Sequence, residues 1–97
     1  MDYQVVYTPL AEQDLVEILA YGIERWGEQR TEAMYMQITG QLEDLYFFPY
    51  RSHEKGSLGT RELLVGNNLY RAILTIDETI KKVFILRILH TSQDKQF

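Results

Sequence analysis

Val83-Phe84-Ile85-Leu86-Arg87-Ile88-Leu89-His90 is an apolar run broken by one arginine, and it reads as the last strand of a sheet, placed at Lys82 to Leu89. A guanidinium keeps its charge, so Arg87 must reach water, a carboxylate or a partner. His90 and Asp94 follow just past the strand end. Working backwards, Asp77-Glu78-Thr79 is a turn, and Leu69 to Ile76 is a second strand. Gly66-Asn67-Asn68, rich in residues that tolerate positive φ, links it to a third strand, Arg61 to Val65. Three strands joined by tight turns predict an antiparallel meander.

Earlier in the chain the period changes. Tyr3, Val5 and Tyr7 alternate as in a short strand. Thr8-Pro9 reads as an N-cap with proline at the first helical position. Ala11, Leu15, Ile18, Leu19, Gly22 and Trp26 then recur at helical spacing, and Gly27 is a natural left-handed stop. A second helix is expected from Glu28 to Phe47, with Met34, Ile38, Leu42 and Leu45 as its stripe and Pro49 as its end. So short a link at Gly27 folds the helices into an antiparallel hairpin. Tyr50 to Gly59 reads as the main loop. The predicted fold is α+β in two layers: N-terminal strand, two-helix hairpin, three-stranded meander, in a single domain over residues 1–97.

Composition sets outer limits. The chain of 97 residues is 45% hydrophobic and 25% charged, as in an ordinary globular domain. It has no cysteine, which removes disulfides and thiolate metal sites. The start lacks a signal-peptide pattern, and no apolar run nears the roughly 20 residues that span a bilayer. A cytoplasmic protein without membrane contact is expected. Residues 1–50 carry nine acids against Arg25 and Arg30, a net −7, whereas residues 51–97 carry eight bases against five acids, a net +3. The split suggests one acidic and one basic surface. The overall charge of −4 argues against a general nucleic-acid binder.

Candidate chemistry is sparse. Arg61, Arg71 and Arg87 fall on the three meander strands and could form one patch for a carboxylate or phosphate, or each could snorkel from the sheet's open face. His90 could be an acid–base group, but capping the strand end or bonding to Asp94 is the expected role. His53 is expected to be solvated, and Asp77 and Glu78 are explained by their turn. Trp26, Tyr46, Phe47 and Phe48 fall at the ends of the hairpin and are expected to complete the core; any ring left exposed would mark a protein-binding patch. The histidines lack metal-site spacing, and there is no phosphate-binding glycine motif. No metal and no cofactor are expected.

The order of these elements resembles the ParE/RelE superfamily of bacterial type II toxins. Pro9-Leu10-Ala11-Glu12-Gln13-Asp14-Leu15-Val16-Glu17-Ile18 is similar to that family's first helix, and Tyr21-Gly22-Ile23-Glu24-Arg25-Trp26-Gly27 to its helix-to-helix turn. Phe48-Pro49 is similar to the end of that family's second helix and Arg61 with Leu63 to the start of its meander, while Arg87-Ile88-Leu89-His90 followed by Asp94 resembles the ParE branch. That resemblance implies inhibition of DNA gyrase by protein contact, without a catalytic site, and neutralisation by a ParD-like antitoxin. It makes Arg61, Arg71, Arg87, Trp26 and Phe47 the antitoxin- or target-binding residues, with Gly27, His90 and Asp94 as structural signature. Because Arg87 sits on a strand that otherwise looks buried, Arg87→Ala is expected to weaken antitoxin binding more than it lowers thermal stability. The RelE branch, which cuts mRNA on the ribosome, is the alternative, with Arg61 and Arg71 as its cationic residues. Leu63, Thr91 and Phe97 stand where that branch carries a lysine, an arginine and the catalytic tyrosine. An inactive toxin that only binds antitoxin is the third reading.

Overall fold

In the computed structural model, which describes residues 2–55 and 59–92, a five-stranded sheet carries two helices on one face. Strand β1 (Gln4–Tyr7) leads into α1 (Pro9–Trp26) and α2 (Glu28–Glu43). Short 3₁₀ turns at Asp44–Tyr46 and Pro49–Arg51 follow, then β2 (His53–Glu54), β3 (Arg61–Val65), β4 (Tyr70–Asp77) and β5 (Lys82–His90). The spatial order is β1-β5-β4-β3-β2. Every pairing is antiparallel except β1 with β5, which run parallel from Gln4 opposite Lys82 to Tyr7 opposite Ile85.

Local chemistry sets the helix ends. Thr8 is extended, and its hydroxyl accepts the Ala11 N–H at 3.2 Å while donating to the Ile85 carbonyl at 3.0 Å, so one side chain caps α1 and ties it to β5. Gly27 takes φ +87° and donates its N–H to the Ile23 carbonyl, which closes α1. The helices touch most closely at Gly22. A Cβ there would lie 2.6 Å from the Thr31 methyl, so only glycine permits this approach. Ile38, Leu42 and Leu45 from the helical layer then meet Val65, Leu74, Val83 and Ile85 from the sheet, all fully buried.

Three expectations are corrected. α2 ends at Glu43, short of Phe47, because the chain tightens into a 3₁₀ turn in which the Phe47 and Phe48 N–H groups both donate to the Asp44 carbonyl. That turn buries Leu45 and turns the following rings outward. The expected loop contains β2, a two-residue strand paired with Arg61 and Glu62. The sheet therefore has five strands, because β2 and β1 flank the meander on either side. Among the described residues no helix is long and apolar enough to cross a membrane.

Strand β5 holds a further irregularity. Leu74 faces Ile85 but Ile73 faces Arg87, so Leu86 is an extra residue, a β-bulge. Strict alternation would set Arg87 on the core face with Val83 and Ile85. The bulge shifts the phase, placing Arg87 opposite Ile73 on the helix-free face and returning Ile88 to the core.

Candidate partner-binding surfaces

The arginine that interrupts the last strand is clasped by the first helix. Asp14, only 7% exposed, accepts Arg87 Nε at 2.8 Å and Nη2 at 3.1 Å, a bidentate pair. The same Asp14 Oδ2 accepts the Ile88 N–H at 2.8 Å. Strand β1 stops at Tyr7, so this carboxylate meets a backbone donor that β1 no longer reaches. The Asp14 hydrogen bonds favour the charged guanidinium and raise the Arg87 pKa further. Arg87 thus has a structural role that the interrupted run did not disclose.

The three meander arginines do not form one patch. Arg71 and Arg87 lie on the helix-free face, and Arg71 pairs there with Glu62, each side chain nearly buried. Arg61 faces the other way, opposite Leu74. Its Nε donates to Ser52 Oγ at 2.8 Å, and its guanidinium lies 5.0 Å from the centre of the Tyr50 ring. Around Arg71 and Arg87 the helix-free face carries Val6, Phe84, Leu89 and Leu64, by their ladder positions, with the bulged Leu86 between Ile85 and Arg87. It is a largely apolar sheet face that bears the Arg71–Glu62 pair and from which Arg87 reaches Asp14 of α1.

A second surface lies at one end of the sheet. After α2 the chain crosses beneath the strand ends as a strap, from Tyr46 beside Tyr3 to Ser52 beside Arg61. Tyr46, Phe47, Phe48 and Tyr50 are exposed on it, with Phe47 and Phe48 each 61% exposed. Tyr46, Phe47 and Phe48 do not complete the core as expected; Leu45 and Pro49 are the buried residues of this segment. Tyr46 and Phe47 stack edge-on at 4.8 Å, Arg51 lies over Phe48, and residues 47–51 line an open groove of about 480 Å³. Trp26, at the end of α1, packs against Tyr21 and Arg30 instead. It therefore belongs to the opposite end of the hairpin from Phe47.

Glu78, in the β4–β5 turn, anchors the strap. It accepts hydrogen bonds from the Tyr50 hydroxyl, from Lys81 Nζ at 2.9 Å and from the Tyr3 hydroxyl at 2.9 Å. These donors, Tyr50 foremost, pull its pKa down from 4.5 to about 2. Lys81 takes φ +53° there and lies 5.0 Å from the Tyr3 ring. Asp77 holds the turn as expected, its carboxylate accepting the Thr79 and Ile80 N–H groups. From sequence, Glu78 reads only as a turn residue, and Asp14 and Glu62 take no site role. For Asp14 the signal was available: an acid on the buried face of α1, between Ala11 and Ile18.

His90 closes the last strand. Its Nδ1 accepts the Ser92 N–H at 3.1 Å, and its ring meets Tyr70 edge-on at 5.2 Å. Asp94 and Phe97 lie outside the described residues. His53 is exposed on β2. Among the described residues no three His, Cys, Asp or Glu side chains group as a metal site would need.

The family model for the ParE toxin of type II toxin–antitoxin systems matches residues 5–95. The chain belongs to the ParE toxin family. No curated protein matches it, but solved structures do. A chain of the chromosomal ParDE toxin–antitoxin system of P. aeruginosa is similar with a TM-score of 0.80 at 20% identity, covering 91% of this chain and 95% of that one. A chain of the RelBE2 toxin–antitoxin complex from Mycobacterium tuberculosis aligns with a TM-score of 0.66 at 25% identity, covering 93% and 99%. The archaeal RelE–RelB complex from Pyrococcus horikoshii OT3 gives 0.64 at 15% identity, covering 97% and 100%. The ParE fold is thus present along nearly the whole chain, and within it the Asp14–Arg87 clasp joins the first helix to the last strand.

Proposed function

We propose that this ParE-family toxin inhibits DNA gyrase by protein contact and is neutralised by a cognate ParD-like antitoxin. The observation that carries this reading is the family match, which spans residues 5–95 and so takes in both the helical hairpin and the sheet. The helix-free face suits an amphipathic antitoxin segment. Phe84 and Leu89 supply apolar contact, and the Arg71 and Arg87 ion pairs supply oriented charge. Arg61, Phe47 and, at the far end of the hairpin, Trp26 are then the contacts left for the target. What supports a protein-contact role over RNA cleavage is that Arg71 and Arg87 already hold carboxylates, which an incoming phosphate would have to displace.

The test is a supercoiling and cleavage-complex assay with purified gyrase and antitoxin-free protein. Inhibition that added antitoxin abolishes is the expected result. Unchanged supercoiling by well-folded protein would refute the target. Ribosome-dependent mRNA cleavage lost on Arg71→Ala would replace it with the RelE-type activity. Antitoxin binding without growth arrest on expression would mark an inactive toxin.

A further inference from the structure

The two edges of the sheet are protected unequally. Strand β2 at one edge has only two residues, His53 and Glu54, polar and exposed, which discourages pairing with another strand. Strand β1 at the other edge is four residues long and uncharged, with neither proline nor bulge. Its hydrogen bonds show which groups face outward. The Gln4 N–H donates to the Lys81 carbonyl at 2.9 Å and the Thr8 N–H to the Ile85 carbonyl at 3.1 Å, so even-numbered residues turn to β5. Odd-numbered residues turn away from it. The Tyr3 N–H is met by the Tyr46 carbonyl at 2.9 Å. For Val5 and Tyr7 the described residues offer no backbone partner on that side.

We infer that the β1 edge is a self-association surface, at which a second copy of this chain pairs its own β1 antiparallel to form a continuous ten-stranded sheet. Charge favours a second copy. The first half of the chain carries a net −7, which disfavours contact between copies elsewhere on it, but Tyr3 to Ala11 carries no charge. Register favours it too. A two-fold axis at Val6 sets Val5 opposite Tyr7 of the other copy, which satisfies the outward groups of both residues together. The pairing ends where Tyr3 is already bonded to Tyr46 and where Pro9 has no N–H to offer. A second, independent feature fits the same axis. Leu10 is 60% exposed at one end of the edge, and Tyr46 and Phe47 are exposed at the other. Antiparallel pairing brings the Leu10 end of each copy to the Tyr46–Phe47 end of its mate, covering apolar groups that the monomer leaves in water. The inference stands apart from the choice of gyrase as target.

Sedimentation of the full, antitoxin-free chain from low to high micromolar concentration tests this. A reversible dimer is expected, with the Val5 and Tyr7 amides protected from hydrogen exchange in the dimer and exposed on dilution. Val5→Pro removes an outward N–H without touching the ladder to β5, and Val6→Lys sets like charges face to face across the axis. Each should weaken association by about tenfold or more. If Val5→Pro unfolds the chain, Val6→Lys with an unchanged unfolding midpoint decides alone. A monomer at every concentration, or a dimer that a folded variant leaves intact, would overturn the inference. So would amide protection that appears only when a different protein binds.

Discussion

The Asp14–Arg87 clasp and the Tyr46–Tyr50 strap invert the usual distribution of polarity. The clasp buries a carboxylate between α1 and β5, whereas the strap leaves four aromatic rings in solvent. The acid has three donors to satisfy it, two from Arg87 and one from Ile88, so burial there is supported at each contact. The strap's rings bury little, and exposed hydrogen bonds to Glu78 and Asp2 hold its tyrosines in place. One region joins two layers of the fold, and the other leaves an aromatic surface open to solvent.

That contrast can be broken most directly at its buried end. Asp14→Ala removes a partner from Arg87 and strands the Ile88 N–H. Because Arg87 keeps about a third of its side chain in water, the expected loss is about 2–3 kcal/mol, read from urea unfolding. Gly22→Ala, which drives a methyl into Thr31 at the helix crossing, should cost about 1–3 kcal/mol by the same measurement. A smaller effect is expected at the strap's anchor. The Glu78 pKa is depressed, so its contribution is complete above about pH 4.5 and is lost as pH falls toward 2. Glu78→Gln should therefore be less stable than the parent at neutral pH, and the gap should close in acid. The smallest effect is expected at the rings themselves: Phe48→Ser should change stability by about 0.5 kcal/mol or less while weakening partner binding in a pull-down. A large stability loss there would make the strap part of the core after all.

The order of elements was legible because each carries its own local chemistry. Thr8-Pro9 opens α1 and Gly27 closes it, while Gly66, Asn67 and Asn68 all take positive φ in the turn expected of them. What stayed hidden depends on partners distant in sequence. Parallel pairing of β1 with β5 leaves no local mark, and β2 has no apolar alternation to betray it. The bulge at Leu86 was hidden for the same reason. Without it Arg87 reads as facing the core, and its proximity to Asp14, 73 positions away, cannot be anticipated. The aromatic residues misled because Tyr46-Phe47-Phe48 has core composition, and only the 3₁₀ turn decides which way the rings point.

The sheet order has a consequence for synthesis of the chain. Strand β5 lies between β1 and β4, so β1 has no neighbour in the sheet until β5 has been made. Val83 and Ile85, both fully buried, fill the centre of the core from that last strand. Contacts of such long sequence separation form late and slowly. A growing chain without β5 therefore lacks the Asp14–Arg87 clasp and the β5 share of the helix-free face. The surface around Arg71 and Arg87 is complete only once β5 has been added.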